Sequence, residues 1–138
     1  MPETNPNLNK LSSMQYKVTQ ERHTERPFTG RFNKFKEPGT YECVVCGQEL
    51  FKSEHKFDSG CGWPAFYDSI DPARIKEVRD ESMGMIRTEV LCSQCDAHLG
   101  HVFDDGPKPN RKRFCINSVS MRFIAPTGEK LEDEGSSG

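Results

Sequence analysis

Two cysteine pairs, Cys43-Val44-Val45-Cys46 and Cys92-Ser93-Gln94-Cys95, constrain this chain more than any other feature. Two thiolates separated by two residues can share one tetrahedral ion, because a tight turn brings both sulfurs to one side. Two such turns complete a four-cysteine site with Zn–S distances of ~2.3 Å. Gly47 and Asp96 stand directly after the pairs, and both residue types tolerate the positive φ that such a turn asks for. Residues 47–91 form an excursion between the pairs, much longer than the ~15–20 residues of a simple zinc ribbon. A shared ion would therefore pin two distant hairpins. Four ligands leave no open position, so the expectation is one structural zinc ion, Zn2+. A redox C-x-x-C would normally sit near a βαβ pattern, and the chain shows none. A disulfide framework belongs to oxidising compartments. The opening MPETNPNLNK has neither the basic nor the apolar region of a secretory signal. The expected location is cytoplasmic, or an organelle after loss of a presequence.

A metal staple suits the composition. Only 33% of the 138 residues are hydrophobic, and mean hydropathy is −0.77, so the core is thin and gains from a brace. Lys+Arg number 19 against 21 Asp+Glu, for a net charge of −2. That balance excludes a strongly basic nucleic-acid binder, and no nucleic acid or membrane is expected as a partner. No run approaches the ~18 apolar residues of a membrane span.

Residues 1–10 read as a flexible N-terminus, 11–126 as one domain, and 127–138 as a disordered charged tail. Ser12 and Gln15 have capping-box spacing and predict a helix over 13–20. Pro27, Gly30, Pro38 and Gly39 make 21–39 an irregular arm. Beyond it, short β-prone runs predict strands at 40–43, 63–67, 76–79, 85–91 and 99–103, with a loop at 104–112. Val119, Met121 and Phe123 alternate with Ser120, Arg122 and Ile124, as a half-buried strand requires. With Phe114-Cys115-Ile116 they read as a β-hairpin or one long bent strand. The fold class is mainly β.

Cys61 and Cys115 are left over. Free cysteine is often a small buried hydrophobe, and Phe114 and Ile116 beside Cys115 fit that reading. Arg113 favours the other, because a cationic neighbour lowers a thiol pKa and the thiolate is the nucleophile. Cys61 lies in Ser59-Gly60-Cys61-Gly62-Trp63-Pro64. Flanking glycines suit an exposed loop, from which a thiol could swing onto an oxidised partner. His98 and His101 stand three apart, so on a strand they should point to opposite faces. One could be catalytic, or both could be structural. Trp63, the single tryptophan, could be core or pocket wall.

Taken together, these segments resemble the methionine sulfoxide reductases of the B type. The resemblance runs from about Leu11 to Ile124. It is carried by Tyr16-Lys17-Val18-Thr19-Gln20-Glu21, the two C-x-x-C units, Phe57-Asp58-Ser59-Gly60-Cys61-Gly62-Trp63-Pro64, His98-Leu99-Gly100-His101-Val102-Phe103 and Arg113-Phe114-Cys115-Ile116-Asn117-Ser118. It implies two small antiparallel β-sheets forming a barrel-like core, with short N-terminal helices. It implies Cys115 as nucleophile, Cys61 as resolving thiol, and a Cys61–Cys115 disulfide. Cys43, Cys46, Cys92 and Cys95 would hold the zinc. Trp63 and Phe103 would bind substrate, while His98, His101, Arg113 and Asn117 would shape the polar side of the pocket. The implied substrate is the R epimer of methionine sulfoxide in oxidised proteins, the reductant is thioredoxin, and the enzyme is a monomer. Ala65 stands where serine is common, and Phe114 where an aromatic hydroxyl or imidazole often sits. Rival functions are a zinc-bearing interaction module, a cysteine hydrolase using Cys115 with a histidine, and a redox sensor whose metal cysteines oxidise.

Overall fold

In the computed structural model, residues 10–81 and 84–135 are described. Apart from Lys10, the N-terminal segment expected to be flexible lies outside them. The capping box forms as the sequence predicts: Ser12 accepts from the Gln15 backbone N–H, and the Gln15 side chain accepts from the Ser12 N–H. It starts α1 (Ser13–Glu21), which ends on Arg22 in the left-handed region at φ 59°. This is the one α-helix among the described residues, where the resemblance implied several. The arm after it stays irregular.

Ten short strands follow: β1 (Thr40–Cys43), β2 (Glu49–Lys52), β3 (Lys56–Phe57), β4 (Ala65–Phe66), β5 (Ile75–Asp80), β6 (Arg87–Cys92), β7 (His98–Phe103), β8 (Arg113–Ile116), β9 (Met121–Ile124) and β10 (Lys130–Glu132). They build two antiparallel sheets, ordered β10-β9-β1-β2 and β3-β4-β8-β7-β6-β5. Neither sheet closes on itself into a barrel. Aromatic side chains fill the space between them. Phe51 from β2 stacks on Phe66 from β4 with ring centres 4.5 Å apart, and Tyr41 from β1 meets the same ring edge-on at 5.2 Å. Such pairs add about 0.5–1.5 kcal/mol each beyond their buried area, which helps a chain with few aliphatic residues.

Two expectations are corrected. The segment after Phe114 is not a hairpin, because β8 and β9 belong to different sheets. A buried 3₁₀ turn at Ser118–Ser120 carries the chain across. Its polar side chains are satisfied inside the core: the Ser118 hydroxyl accepts from the Phe32 N–H at 2.9 Å, and Ser120 donates to the Asn117 carbonyl at 2.7 Å. Val119 shares the alternation of β9 but belongs to this turn. The tail was expected to be disordered, yet it contributes β10, paired with β9 in the register Leu131↔Phe123. Its charges find partners. Arg122 Nε donates to Glu132 at 2.9 Å, and the Arg31 N–H donates to the Asp133 carboxylate at 2.8 Å.

Deleting residues 127–138 is therefore expected to cost about 1–3 kcal/mol of stability, read as a lower midpoint in urea. An unchanged midpoint would show that β10 adds nothing to the fold.

Candidate active site and metal centre

The two cysteine pairs sit in matching hairpin turns. Cys43 ends β1 and Cys92 ends β6. In the first turn the Gly47 N–H donates to the Cys43 carbonyl at 2.9 Å, and in the second the Asp96 N–H donates to the Cys92 carbonyl at 2.8 Å. Gly47 has φ 81° and Asp96 φ 62°, so both residues after the pairs take the conformation expected of them. The four sulfurs lie within 4.8 Å of one another. Cys43–Cys95 and Cys46–Cys92 are each 3.6 Å apart. Sulfurs on a tetrahedron with ~2.3 Å bonds to its centre stand ~3.8 Å apart, so the donor set fits a metal ion of that kind. Without a cation four such neighbours cannot all ionise, and contacts with Cys46, Cys92 and Cys95 push the Cys43 thiol far above the ordinary range. The site joins a turn of one sheet to a turn of the other.

β7 begins immediately after the second turn and pairs with β8, placing His101 opposite Cys115. Gly100 lets the strands approach, since a Cβ there would overlap the Cys115 carbonyl oxygen. On the far side of β7, Glu89 of β6 is opposite His101. A transverse row Cys115–His101–Glu89 thus crosses the sheet. Beside it opens a cleft of about 240 Å³ lined by Thr24, Trp63, Arg87, His101, Phe103, Arg113, Cys115 and Asn117, among others.

Cys61 arrives at this cleft from the loop before β4, with its sulfur 3.0 Å from the Cys115 sulfur. The Cys115 sulfur is also met by Arg113 Nη1 at 2.9 Å. Arg113 also grips Asp105 with two hydrogen bonds, of 2.7 and 3.0 Å, and lies over the Phe103 ring at 4.5 Å. Phe103 therefore braces the guanidinium that touches the thiol. Cys61 is pulled down to about 5, first by its hydrogen bond from Cys115, while the same contact pushes Cys115 well above the thiol range. Arg113 acts on Cys115 in the opposite direction. The pair thus shares a proton, and Cys115 is poorly ionised while Cys61 stays in contact. Departure of Cys61 removes the largest cause holding that proton.

The remaining side chains take more specific places than their spacing implied. His98 and His101 were expected on opposite faces. Register shifts by one between Val90 and Leu91 of β6, which leaves Leu99 as an extra residue in β7. This bulge turns His98 to the side of His101, and the two rings meet edge-on at 5.7 Å. His98 is buried, its Nδ1 bonds the Val18 carbonyl of α1 at 3.1 Å, and burial pulls its pKa down to about 4. It does not line the Cys115 cleft. Asn117 secures the bulge, with its backbone N–H and its Nδ2 both donating to the Leu99 carbonyl, at 2.8 and 2.9 Å. Asn117 Oδ1 accepts from the Glu25 N–H at 2.9 Å, and the Glu25 carbonyl accepts from Trp63 Nε1 at 3.1 Å. One residue of the irregular arm thereby ties Trp63 to Asn117.

Nothing in the sequence singles out Glu25, Asp80, Arg87 or Glu89. They belong to no motif, and only the fold brings them in or near the cleft. Burial raises the Glu25 carboxyl to about 7 against its hydrogen bond from Val119, and its Oε2 has no hydrogen-bond partner.

A protein family described as the SelR domain matches residues 11–125. Relatives are similar over most of the chain. Peptide methionine sulfoxide reductase MsrB of Hahella chejuensis is 56% identical over 126 residues, 91% of each chain. The Pseudomonas putida protein of the same name is 58% identical over 113 residues, covering 82% of this chain and 85% of its own. Methionine-R-sulfoxide reductase B1 of Drosophila melanogaster is 54% identical over 127 residues, and the match spans 61% of that longer protein. Among solved structures, the C-terminal domain of Caenorhabditis elegans Dicer-related helicase 3, with 5'-ppp 8-mer ssRNA, aligns with a TM-score of 0.56 at 10% identity. That alignment covers 73% of this chain and 63% of the other, and it is a likeness of fold alone.

Two titrations test the electrostatics. Cys61→Ala is expected to lower the pKa of Cys115, followed by ultraviolet thiolate absorbance against pH. A value that stays up would mean burial alone holds the proton. Glu25 holds its proton more tightly folded than unfolded, so its stabilisation is full below pH 4.5 and is lost as pH rises through about 7. Glu25→Gln is expected to flatten that loss in unfolding experiments between those values. An unaltered slope would locate the loss elsewhere.

Proposed function

The chain belongs to the SelR family, and from that premise we propose that it is a peptide-methionine (R)-S-oxide reductase acting on oxidised proteins. The observation that carries the reading is the pair of sulfurs 3.0 Å apart, Cys61 and Cys115, at the mouth of a cleft walled by Trp63. A hydrolase would need one thiol, and an interaction module would need neither. No helix among the described residues is long and apolar enough to cross a membrane.

Substrate entry displaces Cys61, and the Cys115 thiolate is then held by the Arg113 guanidinium. Trp63 contacts the methyl group of the sulfoxide, so the epimer is selected by where oxygen and methyl must point. Cys115 attacks the sulfoxide sulfur while His101 gives a proton to the oxygen. Thiolate, sulfoxide and proton together yield methionine and a Cys115 sulfenic acid. The Cys61 thiol attacks that sulfur, a Cys61–Cys115 disulfide forms, and water leaves. Thioredoxin exchanges its dithiol for this bond. Asn117 and His98 act one layer away, the first by fixing the bulge and the second by packing on the His101 ring.

The metal is zinc, held by Cys43, Cys46, Cys92 and Cys95. Bound there, it supplies bracing and no redox chemistry. Residues 11–126 are the catalytic unit, the working form is a monomer, and the setting is a reducing one such as the cytoplasm.

With R- and S-epimers of a methionine sulfoxide peptide and thioredoxin as reductant, turnover is expected on the R epimer alone. Cys115→Ser should abolish it. Cys61→Ser should release about one methionine per protein and then stop with thioredoxin. Trp63→Ala should raise KM while leaving thiol alkylation rates unchanged. Full thioredoxin-driven turnover by Cys61→Ser would overturn the resolving role, and equal use of both epimers would overturn the substrate.

A further inference from the structure

Asp80 is an unexpected neighbour of the reacting groups. It is the last residue of β5, an edge strand whose preceding residues are mostly exposed and charged. Its side chain is nonetheless only 5% exposed, because it turns under β6 to reach His101 of β7, with Oδ2 2.8 Å from Nε2. Arg87 Nη2 meets the same oxygen at 3.3 Å, and Arg22 Nη2 stands 3.8 Å from Oδ1. Two cations thus stand beside this buried carboxylate. A carboxylate oxygen accepts, so His101 must carry a hydrogen on Nε2. Its other nitrogen, Nδ1, is then the one without a carboxylate. His101 lines the cleft in the register position facing Cys115.

The geometry points to Asp80 as the positioning residue of the reaction: it fixes the hydrogen on His101 Nε2, so that Nδ1 is the nitrogen that protonates the sulfoxide oxygen. This deepens the proposed reductase reading and rests on it. The balance is simple. His101 enters as imidazolium, gives its Nδ1 proton to the oxygen as Cys115 bonds to sulfur, and is left neutral with Nε2–H still donating to Asp80. Asp80 exchanges no proton. A carboxylate hydrogen-bonded to an imidazole favours its charged form over its neutral one. The other groups facing His101 are Arg87 and Glu89 of β6, His98 of β7 and Cys115 of β8, with Arg22 reaching Asp80 from the end of α1. None of these offers His101 a second carboxylate within hydrogen-bond distance among the contacts of the described residues.

The test uses nitrogen-15 NMR of the intact protein, with His101 assigned by its loss in His101→Gln. In the unaltered protein, neutral His101 is expected to carry its hydrogen on Nε2. A hydrogen on Nδ1 would overturn the proposal with no variant needed. In Asp80→Asn, His101 should titrate at lower pH. Single-turnover methionine release should fall roughly ten- to a hundredfold, with its alkaline limb moved to lower pH. Asp80→Glu should recover part of both effects. An unmoved His101 titration in Asp80→Asn, or a uniform loss of rate with an unmoved pH profile, would overturn the positioning role. If the unaltered protein released no methionine, the reductase reading would fail, while the His101 tautomer and titration would still decide whether Asp80 orients the ring.

Discussion

The close approach of four thiols from two hairpin turns is the constraint on which the rest depends. One turn joins β1 to β2 in the smaller sheet, and the other joins β6 to β7 in the larger. Each sheet is built from strands of two to six residues, and short sheets hold poorly on their own. Sulfurs within 4.8 Å tie the two at one end, and the aromatic layer of Tyr41, Phe51, Phe66 and Phe114 fills the space behind them. A metal ion bound there would bind the folded chain and not the scattered ligands, so its binding energy would become folding energy. The strand leaving the second turn is β7, and β7 presents His101 to Cys115. The metal end and the reacting end are thus two parts of one strand.

The reacting end is assembled from outside that strand as well. Cys115 lies between a cation that favours its thiolate and a second thiol that suppresses it. These are opposite influences on one sulfur, and the second comes from Cys61 in the loop before β4. In the proposed cycle, Cys61 restrains the Cys115 thiol until substrate displaces it and leaves Arg113 as the nearest charge. The same short approach would then favour closure of the disulfide after oxygen transfer.

The cysteine cluster that could hold a metal could be read from sequence because its chemistry is local. C-x-x-C followed by a residue that tolerates positive φ describes a turn that needs little else. The capping box of α1 was legible for the same reason. Errors arose where the outcome depended on distant partners. The tail looked too charged to order, but Arg122 supplies a counter-charge to Glu132 and the Arg31 backbone N–H binds the Asp133 carboxylate. The alternation through Val119 to Phe123 was real, yet periodicity does not say which sheet a strand joins. The histidines were misplaced because one extra residue, Leu99, reverses the facing of His98, and that bulge is fixed by Asn117 from another part of the chain. Glu25 and Asp80 left no trace in the sequence. An isolated carboxylate acquires meaning only when folding buries it against a particular partner.

The division of six cysteines into four that hold an ion and two that exchange electrons is the central claim. Peptide mapping with metal analysis tests it most directly, on protein given one equivalent of methionine R-sulfoxide without reductant. The expected result is a single new crosslink between residues 61 and 115, with one metal ion retained per chain and the other four thiols unmodified. A crosslink that includes 43, 46, 92 or 95, or catalytic methionine release with 61 and 115 still reduced, would contradict it.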